Sequence, residues 1–544
     1  MKPRNILKAA VLLALTSSAM ADATIDVTGA TAFRATTLQA IYNAYASVAN
    51  AITNSVFNTF NVAYDFTGNN SATMIKANVV TFKGSYPGIT GTTVIRCSFN
   101  GSVEGLKAIA TTNEPASFLT AAAVTNSGTF QGGTTTPTES VRPKFAFSDV
   151  LQANTPVTNS LNPESPAVGV VTFMPIANNG APTDLSNLTQ QQLRQLVNAG
   201  IQPLSLFTGK TNDARNVYMV GRNDGSGTRT DYLLESGYGA ANTVSQYVPL
   251  FSTNGTNTSS GTNAYGVTNP GQIKALVLVP ANGQGSGIVS NTVFASGTNK
   301  ITLNTNSPNY RYVYSGNIIT GTGIASGTKI DALATNGATN GVITLSKNTT
   351  GAGTNKVTIN GAVPYNTGST NYASTIWGNS AAGNGGYSSG SGIATLFTYR
   401  STNVSLWDPA SSSVTASNQN VVLVTYLSTS DARTAIATNT IARGLSYNGV
   451  AITPIATSGS YKSSGFSQAD YDKVTTGAYS AWSFQNLYYQ GTLTTDLETF
   501  YNTLTGTNTG SITATLGSTA NGIPTTDMLV SRPDDGGPIT GSLY

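Results

Sequence analysis

One short segment, residues 216–237, constrains the fold more than any other part of the chain. It begins with an apolar run at residues 217–220 that is long enough for a buried strand. A small-residue loop follows at 225–228 (Gly-Ser-Gly-Thr), and then a stretch with helical spacing that ends before Gly237. The order of strand, loop and helix places unpaired backbone N–H groups at the positive end of a helix dipole. Such a loop is a suitable binding site for an anion.

The side chains around this loop point to the same chemistry. The two glycines let the backbone approach a ligand closely, and the hydroxyls of Ser226 and Thr228 are additional donors. Arg222 can offer a planar fork of N–H groups to an oxyanion, and Asp224 could hold that fork in place. The alternative is that Asp-Gly-Ser-Gly-Thr is only a turn and a helix N-cap. Composition alone favours this alternative, because Gly, Ser and Thr are abundant throughout the chain.

The order Arg-x-Asp-Gly-Ser-Gly-Thr closely resembles the signature loop of the phosphate-binding proteins that serve bacterial ABC importers. In that family the arginine, serine, glycine and threonine contact phosphate, and the aspartate braces the arginine. The resemblance therefore implies that Arg222, Ser226, Gly227 and Thr228 bind the anion and that Asp224 braces Arg222.

A second loop, residues 29–33 (Gly-Ala-Thr-Ala-Phe), lies between an N-terminal strand pattern and a helix pattern. The same family opens with a strand, a Gly-Ala-Thr-Phe loop and a helix, and that loop touches the anion. The loop in this chain differs from it by having Ala32 between Thr31 and Phe33. If Phe33 is aligned, Ala32 takes the contacting position, and Thr31 is the adjacent candidate ligand.

A third strand, loop and helix pattern covers residues 94–110. The family has a Gly-Ser-rich loop at this point whose serine donates to phosphate, and Ser102 is the matching residue. Val103 and Glu104 replace the small residues expected after it. A carboxylate at Glu104 would repel a bound dianion unless it points away from it.

A fourth match is the apolar strand that ends in Ser148-Asp149. In the family this aspartate accepts a hydrogen bond from a protonated phosphate, which distinguishes phosphate from fully ionised sulfate. Asp149 is therefore predicted to be the acceptor of the site. Taken alone, Asp149 would be no more than a cap at the end of a strand.

Alternating strand and helix patterns around these loops imply an α/β fold with largely parallel sheets. The resemblance implies more: a two-lobed type 2 periplasmic-binding-protein fold with the ligand between the lobes. Lobe one would comprise residues 22–170 plus 472–544, and lobe two residues 171–471. The apolar strand at 168–176 would be the first crossing between them, and hinge closure would remove water from the ligand.

Residues 284–362 fall outside the resemblance. They are rich in Thr, Asn and Gly, and they contain a repeat, residues 297–304 (Gly-Thr-Asn-Lys-Ile-Thr-Leu-Asn) against 353–360 (Gly-Thr-Asn-Lys-Val-Thr-Ile-Asn). Short alternating strands of this kind predict an all-β insert in lobe two, similar to modules of bacterial surface proteins. The insert is either a decorative insertion in a surface loop or an adhesive or assembly module.

The first 21 residues have the pattern of a secretory signal peptide, with a basic start, an apolar run and an Ala-Met-Ala cleavage site that ends at Ala21. The sequence therefore predicts a periplasmic or extracellular protein. The leader contains three of the 27 basic residues and no acid, which leaves 24 basic against 23 acidic residues. Such a near-neutral chain lacks the basic character of nucleic-acid-binding proteins, so no nucleic-acid partner is expected.

Two further absences limit the chemistry. The chain has no histidine, which excludes histidine metal sites and histidine-dependent triads. Its single cysteine, Cys97, cannot form an intramolecular disulfide and lies in an apolar run that predicts a buried strand. A hydrolase that used Ser226 and Asp149 would have no histidine base. The chain is therefore expected to be non-enzymatic and to need neither metal nor cofactor.

Together these patterns predict an exported binding protein that captures phosphate or a similar oxyanion for an ABC importer. The alternative function is a structural or adhesive surface protein, built on the same fold with the β insert. Low charge and the Thr/Asn/Gly-rich insert motivate this alternative.

Overall fold

The computed structural model describes most of the chain. The predicted signal peptide, its cleavage site at Ala21, both ends of the predicted insert and two stretches within the insert lie outside the described residues. The described ranges are 23–51, 60–111, 115–125, 129–162, 167–242, 244–252, 272–280, 286–303, 318–333, 341–360, 386–387, 389–408, 413–437, 442–456, 458–517 and 522–541.

The architecture is mixed α/β, built on one large sheet of 12 strands, in agreement with the predicted fold class. Its strands run in the order β11-β12-β23-β9-β26-β8-β1-β4-β3-β2-β6, with β24 also paired to β9. Their bounds are β1 (Ala23–Gly29), β2 (Asn61–Tyr64), β3 (Val79–Gly84), β4 (Thr93–Ser98), β6 (Phe130–Gly132), β8 (Phe145–Ser148), β9 (Ala167–Ala177), β11 (Ile201–Pro203), β12 (Asn216–Met219), β23 (Val422–Ser428), β24 (Arg443–Gly444) and β26 (Trp482–Tyr489).

The prediction of largely parallel sheets is wrong. Only β8-β1-β4, β12-β23 and β2-β6 pair in parallel, and the other neighbours in the large sheet are antiparallel. The reason is that strands such as β3, β9 and β26 run back through the sheet between the parallel groups, which periodicity along the sequence does not reveal.

Strand β9 joins the two groups of parallel strands. Its first part pairs with β26, with Thr172 opposite Trp482, and its second part pairs with β23, with Phe173 opposite Ser428. All but the first of its 11 residues are buried, which agrees with its continuous apolar sequence. The sheet is therefore continuous across the whole width spanned by residues 23–177 and 422–489.

Helices connect the strands and cover the sheet. Four of them start directly after strands of the sheet, namely α1 after β1, α3 after β4, α6 after β12 and α8 after β23. The helices of the described residues are α1 (Arg34–Ala51), α2 (Ser71–Met74), α3 (Ser102–Ala110), α4 (Gln190–Ala199), α5 (Ser205–Thr208), α6 (Gly227–Glu235), α7 (Gly390–Phe397), α8 (Thr429–Ala437), α9 (Gln468–Thr475), α10 (Thr495–Thr505) and α11 (Ile512–Leu516).

Local sequence signals account for several of these elements. The sequence Thr189-Gln-Gln-Gln192 forms a capping box at the start of α4, with Thr189 and Gln192 each accepting from the other's backbone, and Gly200 ends the helix at a φ of 74°. Gly237, at a φ of 67°, follows the last residues of α6 as predicted. Cys97 lies buried on β4, which confirms its assignment to a strand.

Residues 286–360 form a separate antiparallel sheet of six strands in the order β17-β20-β15-β16-β19-β18. The two repeated sequences contribute β16 and β20, which pair with opposite edges of β15. The sheet has its own core of aliphatic side chains that includes Ile319, Ile343 and Ile359. Its strands are β15 (Ser286–Phe294), β16 (Lys300–Thr302), β17 (Ile318–Gly321), β18 (Ile330–Leu333), β19 (Val342–Leu345) and β20 (Gly353–Asn360).

Smaller sheets complete the described structure, in which no helix is both long enough and apolar enough to cross a membrane. A four-stranded sheet has the order β13-β14-β21-β22, and three pairs of short strands stand alone. The bounds are β13 (Ser245–Ser252), β14 (Gln272–Pro280), β21 (Val404–Asp408), β22 (Ser413–Gln419), and, in pairs, β5 (Ala116–Leu119) with β7 (Thr138–Val141), β10 (Asn187–Leu188) with β25 (Ser446–Tyr447), and β27 (Val530–Ser531) with β28 (Thr540–Gly541).

The separate core of the six-stranded sheet yields a prediction about stability. Replacing the fully buried Ile343 with alanine leaves a cavity in that core and should destabilise it by about 2–5 kcal/mol. Hydrogen exchange followed by mass spectrometry should then show faster exchange of amides in residues 286–360 and unchanged exchange in β9. The matched control is Val293→Ala, because Val293 on β15 is 55% exposed and its truncation should change little. Equally faster exchange in β9 would show that the two sheets unfold as one unit.

Candidate functional site

Ser102 and Asp149 meet where two strands of the large sheet end. Ser102 is the first residue of α3, directly after β4, and Asp149 directly follows β8. Strands β4 and β8 lie on either side of β1 and both pair with it in parallel, so the carboxyl ends of β4 and β8 lie at the same edge of the sheet. The Ser102 hydroxyl donates a hydrogen bond to Asp149 Oδ1, and both residues are 1% exposed. The structure thus brings together two predicted ligands that are 47 residues apart in sequence.

The start of α6 lies against the same carboxylate. Ser226 is its N-cap, and Ser226 Oγ accepts a hydrogen bond from the Arg229 backbone N–H at 3.4 Å. A methyl group on Gly227 would overlap Asp149 Oδ1 and would lie 2.6 Å from Ser102 Oγ. Only glycine fits at this position, and the carboxylate of Asp149 therefore lies at the positive end of the helix dipole.

Arg222 is held rigidly next to this helix end. It is 1% exposed, its Nε donates to the carbonyl of Tyr387 at 3.1 Å, and its Nη2 donates to Thr31 Oγ1 at 3.4 Å. Backbone hydrogen bonds from Tyr387 N to Gly221 O and from Asn223 N to Tyr387 O fix the main chain on both sides of Arg222. Arg222 therefore contacts both the loop before α1 and the segment before α7.

The two buried charges stabilise each other. Burial lowers the pKa of the Arg222 guanidinium, and the carboxylates of Asp431 and Asp149 raise it again. Burial raises the pKa of Asp149, while the hydrogen bond from Ser102 and the charge of Arg222 lower it. An acceptor carboxylate and a guanidinium fork thus lie within electrostatic range of each other, next to a helix N-terminus. This set can bind an oxyanion that also carries a proton.

The other predicted residues of the signature loop have different environments. Thr228 is 2% exposed in the first turn of α6. Asp224 is exposed, and its carboxylate interacts electrostatically with Lys107 and Glu104. The strongest carboxylate interactions of Arg222 are those with Asp431 and Asp149.

The loop before α1 supplies Thr31 as the residue in contact with Arg222, and its neighbour Ala32 is half-buried. Glu104, whose carboxylate was expected to repel a bound dianion, packs against Gly225. The backbone N–H of Glu104 donates to Gly225 O at 3.2 Å, and a methyl group on Gly225 would overlap the side chain of Glu104. Its carboxylate pairs with Lys107 at 3.4 Å. That pair offsets part of the repulsion which a free carboxylate would exert on an anion.

Two charged residues near the site were missed by the sequence analysis. Arg34 is the first residue of α1, directly after the loop that contains Thr31. Asp431 lies in the first turn of α8, three residues after Ser428 at the end of β23. The available signal was positional, because both residues lie in the first turn of a helix that is the next element after a strand, as Ser102 and Gly227 do.

The loop after Asp149 is held by the C-terminal part of the chain. Asp535 Oδ2 accepts from the Leu151 backbone N–H at 2.6 Å and from Asn154 Nδ2 at 2.8 Å. Asp534 Oδ1 accepts from the same Asn154 amide at 2.7 Å. Burial raises the pKa of Asp535 to about 6, and the negative charges of Asp534 and Asp149 act in the same direction. The position of Asp149 therefore depends on a carboxylate that titrates in a mildly acidic range.

This raised pKa predicts how stability depends on pH. An unfolded aspartate has a pKa near about 3.9, so between about pH 4 and 6 the folded chain retains a proton at Asp535 that the unfolded chain has released. The contribution of Asp535 to the free energy of unfolding is therefore fully present below about pH 4 and is lost as the pH rises through about 6. Asp535→Asn should remove this slope, on the order of 2–3 kcal/mol in total, in urea unfolding measured from pH 4 to 8. Asp496→Asn, a change at an exposed carboxylate on α10, should keep the wild-type slope; an identical slope in both variants would contradict the assignment.

The comparisons and the described residues add two negative findings. Within the described part of the chain, no group of three or more cysteine, aspartate and glutamate side chains could hold a metal ion. The sequence matches no protein-family model and no curated protein. The function of the site therefore has to follow from its own residues and geometry.

Proposed function

We propose that this chain is a non-enzymatic, exported binding protein that captures phosphate or a similar oxyanion and delivers it to an ABC importer. The observation that carries the proposal is the meeting of one buried guanidinium, Arg222, and one buried carboxylate, Asp149, at the N-terminus of α6. A hydrolase that used Ser226 as its nucleophile would need a base, and the chain has no histidine, whereas a binding site needs only fixed donors and an acceptor. The proposed site uses no metal and no cofactor.

The proposed architecture is the two-lobed type 2 periplasmic-binding-protein fold. Lobe one, residues 22–170 plus 472–544, would contribute Thr31, Ser102 and Asp149, and lobe two, residues 171–471, would contribute Arg222 and the start of α6. The resemblance of the signature loop supports this assignment, as does the pairing of β9 with β26 along its first part and with β23 along its second. Closure of the lobes would then surround the anion with donors from both sides.

Each group has a separate part in holding the anion. The Arg222 fork and the positive end of the α6 dipole neutralise the negative charge, and the hydroxyls of Thr31 and Thr228 supply neutral hydrogen bonds. The Ser102 hydroxyl would donate to the anion after turning away from Asp149. Asp149 accepts a hydrogen bond from a protonated oxygen of the ligand, which phosphate has near neutral pH and sulfate lacks. An unprotonated oxygen facing this carboxylate would meet a like charge, and that repulsion disfavours sulfate.

Loss of Arg222 tests the proposal most directly. Titration calorimetry of the mature chain with inorganic phosphate should give saturable heat for the wild type. Arg222→Gln should weaken binding by about 2–5 kcal/mol, because its removal leaves the anion without its buried counter-charge. Arg215→Gln is the matched control, since Arg215 lies just before β12 and forms a surface pair with Asp213 at 2.7 Å. Its phosphate affinity should equal that of the wild type.

The role of Asp149 predicts a change in selectivity. Asp149→Asn replaces the acceptor with a neutral amide that can donate a hydrogen bond. The affinity for phosphate should fall by tenfold or more, and the affinity for sulfate should rise relative to it, measured by competition calorimetry. A phosphate-to-sulfate ratio that stays at the wild-type value would contradict the role of Asp149 as the acceptor.

The wild-type titration also separates the two functions considered for this chain. Absence of heat with phosphate, sulfate and arsenate would contradict the binding proposal. A ligand-independent polymer in sedimentation velocity and electron microscopy would then support the structural or adhesive surface protein, with the six-stranded sheet as its assembly module.

A further inference from the structure

Two charged side chains, Arg34 and Asp431, lie beside the buried groups of the proposed site and are themselves only half-buried. Arg34 starts α1, three residues after Thr31, whose hydroxyl accepts a hydrogen bond from Arg222. Asp431 is in the first turn of α8, and its Oδ2 accepts from Ser428 Oγ at 3.2 Å. Arg222 and Asp149 are almost fully buried, so Arg34 and Asp431 are the more exposed charges of this group.

Gly390 shows how close Asp431 comes to Arg222. A methyl group on Gly390, the first residue of α7, would overlap Asp431 Oδ2 and would lie 3.4 Å from Arg222 Nη1. The carboxylate and this edge of the guanidinium therefore flank the same small volume. The absence of a side chain at Gly390 allows this approach.

Arg34 has a guanidinium that the protein satisfies only in part. Its Nη1 donates to Asn78 Oδ1, but its Nε is buried and has no hydrogen-bond partner among the described residues. A buried donor without an acceptor is unfavourable, and such a group in a native structure needs a physical explanation. An acceptor atom supplied by a ligand would provide one.

The charges around Asp431 form a connected set. The charges of Arg222 and of Arg34 both lower the pKa of Asp431, against the effect of burial, which raises it. The charge of Arg34 in turn lowers the pKa of Arg222, so the two guanidiniums repel each other. One carboxylate thus faces two cations, and a second anion between the cations would reduce their repulsion.

We propose that Arg34 is a second cationic ligand of the anion held by Arg222, so that the site takes a dianionic oxyanion with one guanidinium on each of two oxygens. This rests on the proposed function and extends it by naming the charge class of the ligand. The negative charge of Asp431 attracts both guanidiniums. A dianion gains more from the second guanidinium than a monoanion does, because the Coulomb energy is proportional to its charge.

The test is calorimetry at pH 8 on the mature chain and on three variants, with inorganic phosphate as the dianion and bicarbonate, which also has a protonated oxygen, as the monoanion. Arg34→Gln should weaken phosphate binding by tenfold or more and bicarbonate binding by threefold or less. Arg34→Lys, which keeps the charge, should restore most of the phosphate affinity. The control is Arg433→Gln: Arg433 lies on the same helix as Asp431 and donates to Ile455 O, and its loss should leave both affinities unchanged.

A second measurement observes Arg34 in the wild-type chain. The NMR resonance of the Arg34 Nε–H group, assigned by its loss in Arg34→Lys, should shift on addition of phosphate as the proton gains an acceptor.

The outcomes separate this proposal from the one on which it rests. Phosphate binding by the wild type with unchanged affinity in Arg34→Gln, or with equal losses for both anions, would overturn the role of Arg34 and leave the binding function intact. A wild type that binds neither anion would overturn both.

Discussion

The buried guanidinium of Arg222 is the constraint on which the rest of the site depends. Transfer of an arginine from water to a protein interior costs several kcal/mol unless hydrogen bonds and opposite charges replace the lost water. In this chain the replacements are Thr31, the carbonyl of Tyr387, Asp149 and Asp431. They come from four segments that are distant from one another in the sequence, so Arg222 can be buried only when the large sheet is complete.

Sheet order explains how these segments meet. β8, β1 and β4 are parallel neighbours, and so are β12 and β23, so the loops that follow each group emerge at one edge. α1, α3, α6 and α8 then begin at these edges, and each directs the positive end of its dipole toward the edge from which it starts. The negative carboxylates of Asp149 and Asp431 are tolerated there because helix N-termini stabilise negative charge. The same dipoles would attract an anionic ligand.

The sequence predicted some parts of this arrangement well and others not at all. The strand, loop and helix around residues 216–237, the capping box of α4 and the buried strand at Cys97 depend on local signals, and all three are present. The mixed direction of the large sheet depends on which distant strands become neighbours, and no local pattern encodes that. For the same reason Arg34 and Asp431 were not recognised, because nothing near either residue indicates that both lie beside Arg222.

The position of residues 386–390 shows how a long insertion can be compatible with such a site. The six-stranded sheet has its own core. Further along the chain, the carbonyl of Tyr387 accepts a hydrogen bond from Arg222, and the missing side chain of Gly390 leaves room for the carboxylate of Asp431. The length and sequence of residues 286–360 can therefore vary as long as Tyr387 and Gly390 keep these contacts, since loop closure becomes costlier only slowly with length. The insertion thus has to be positioned precisely only where it ends, and a near-neutral chain can place a few charges at the site instead of relying on a field over its whole surface.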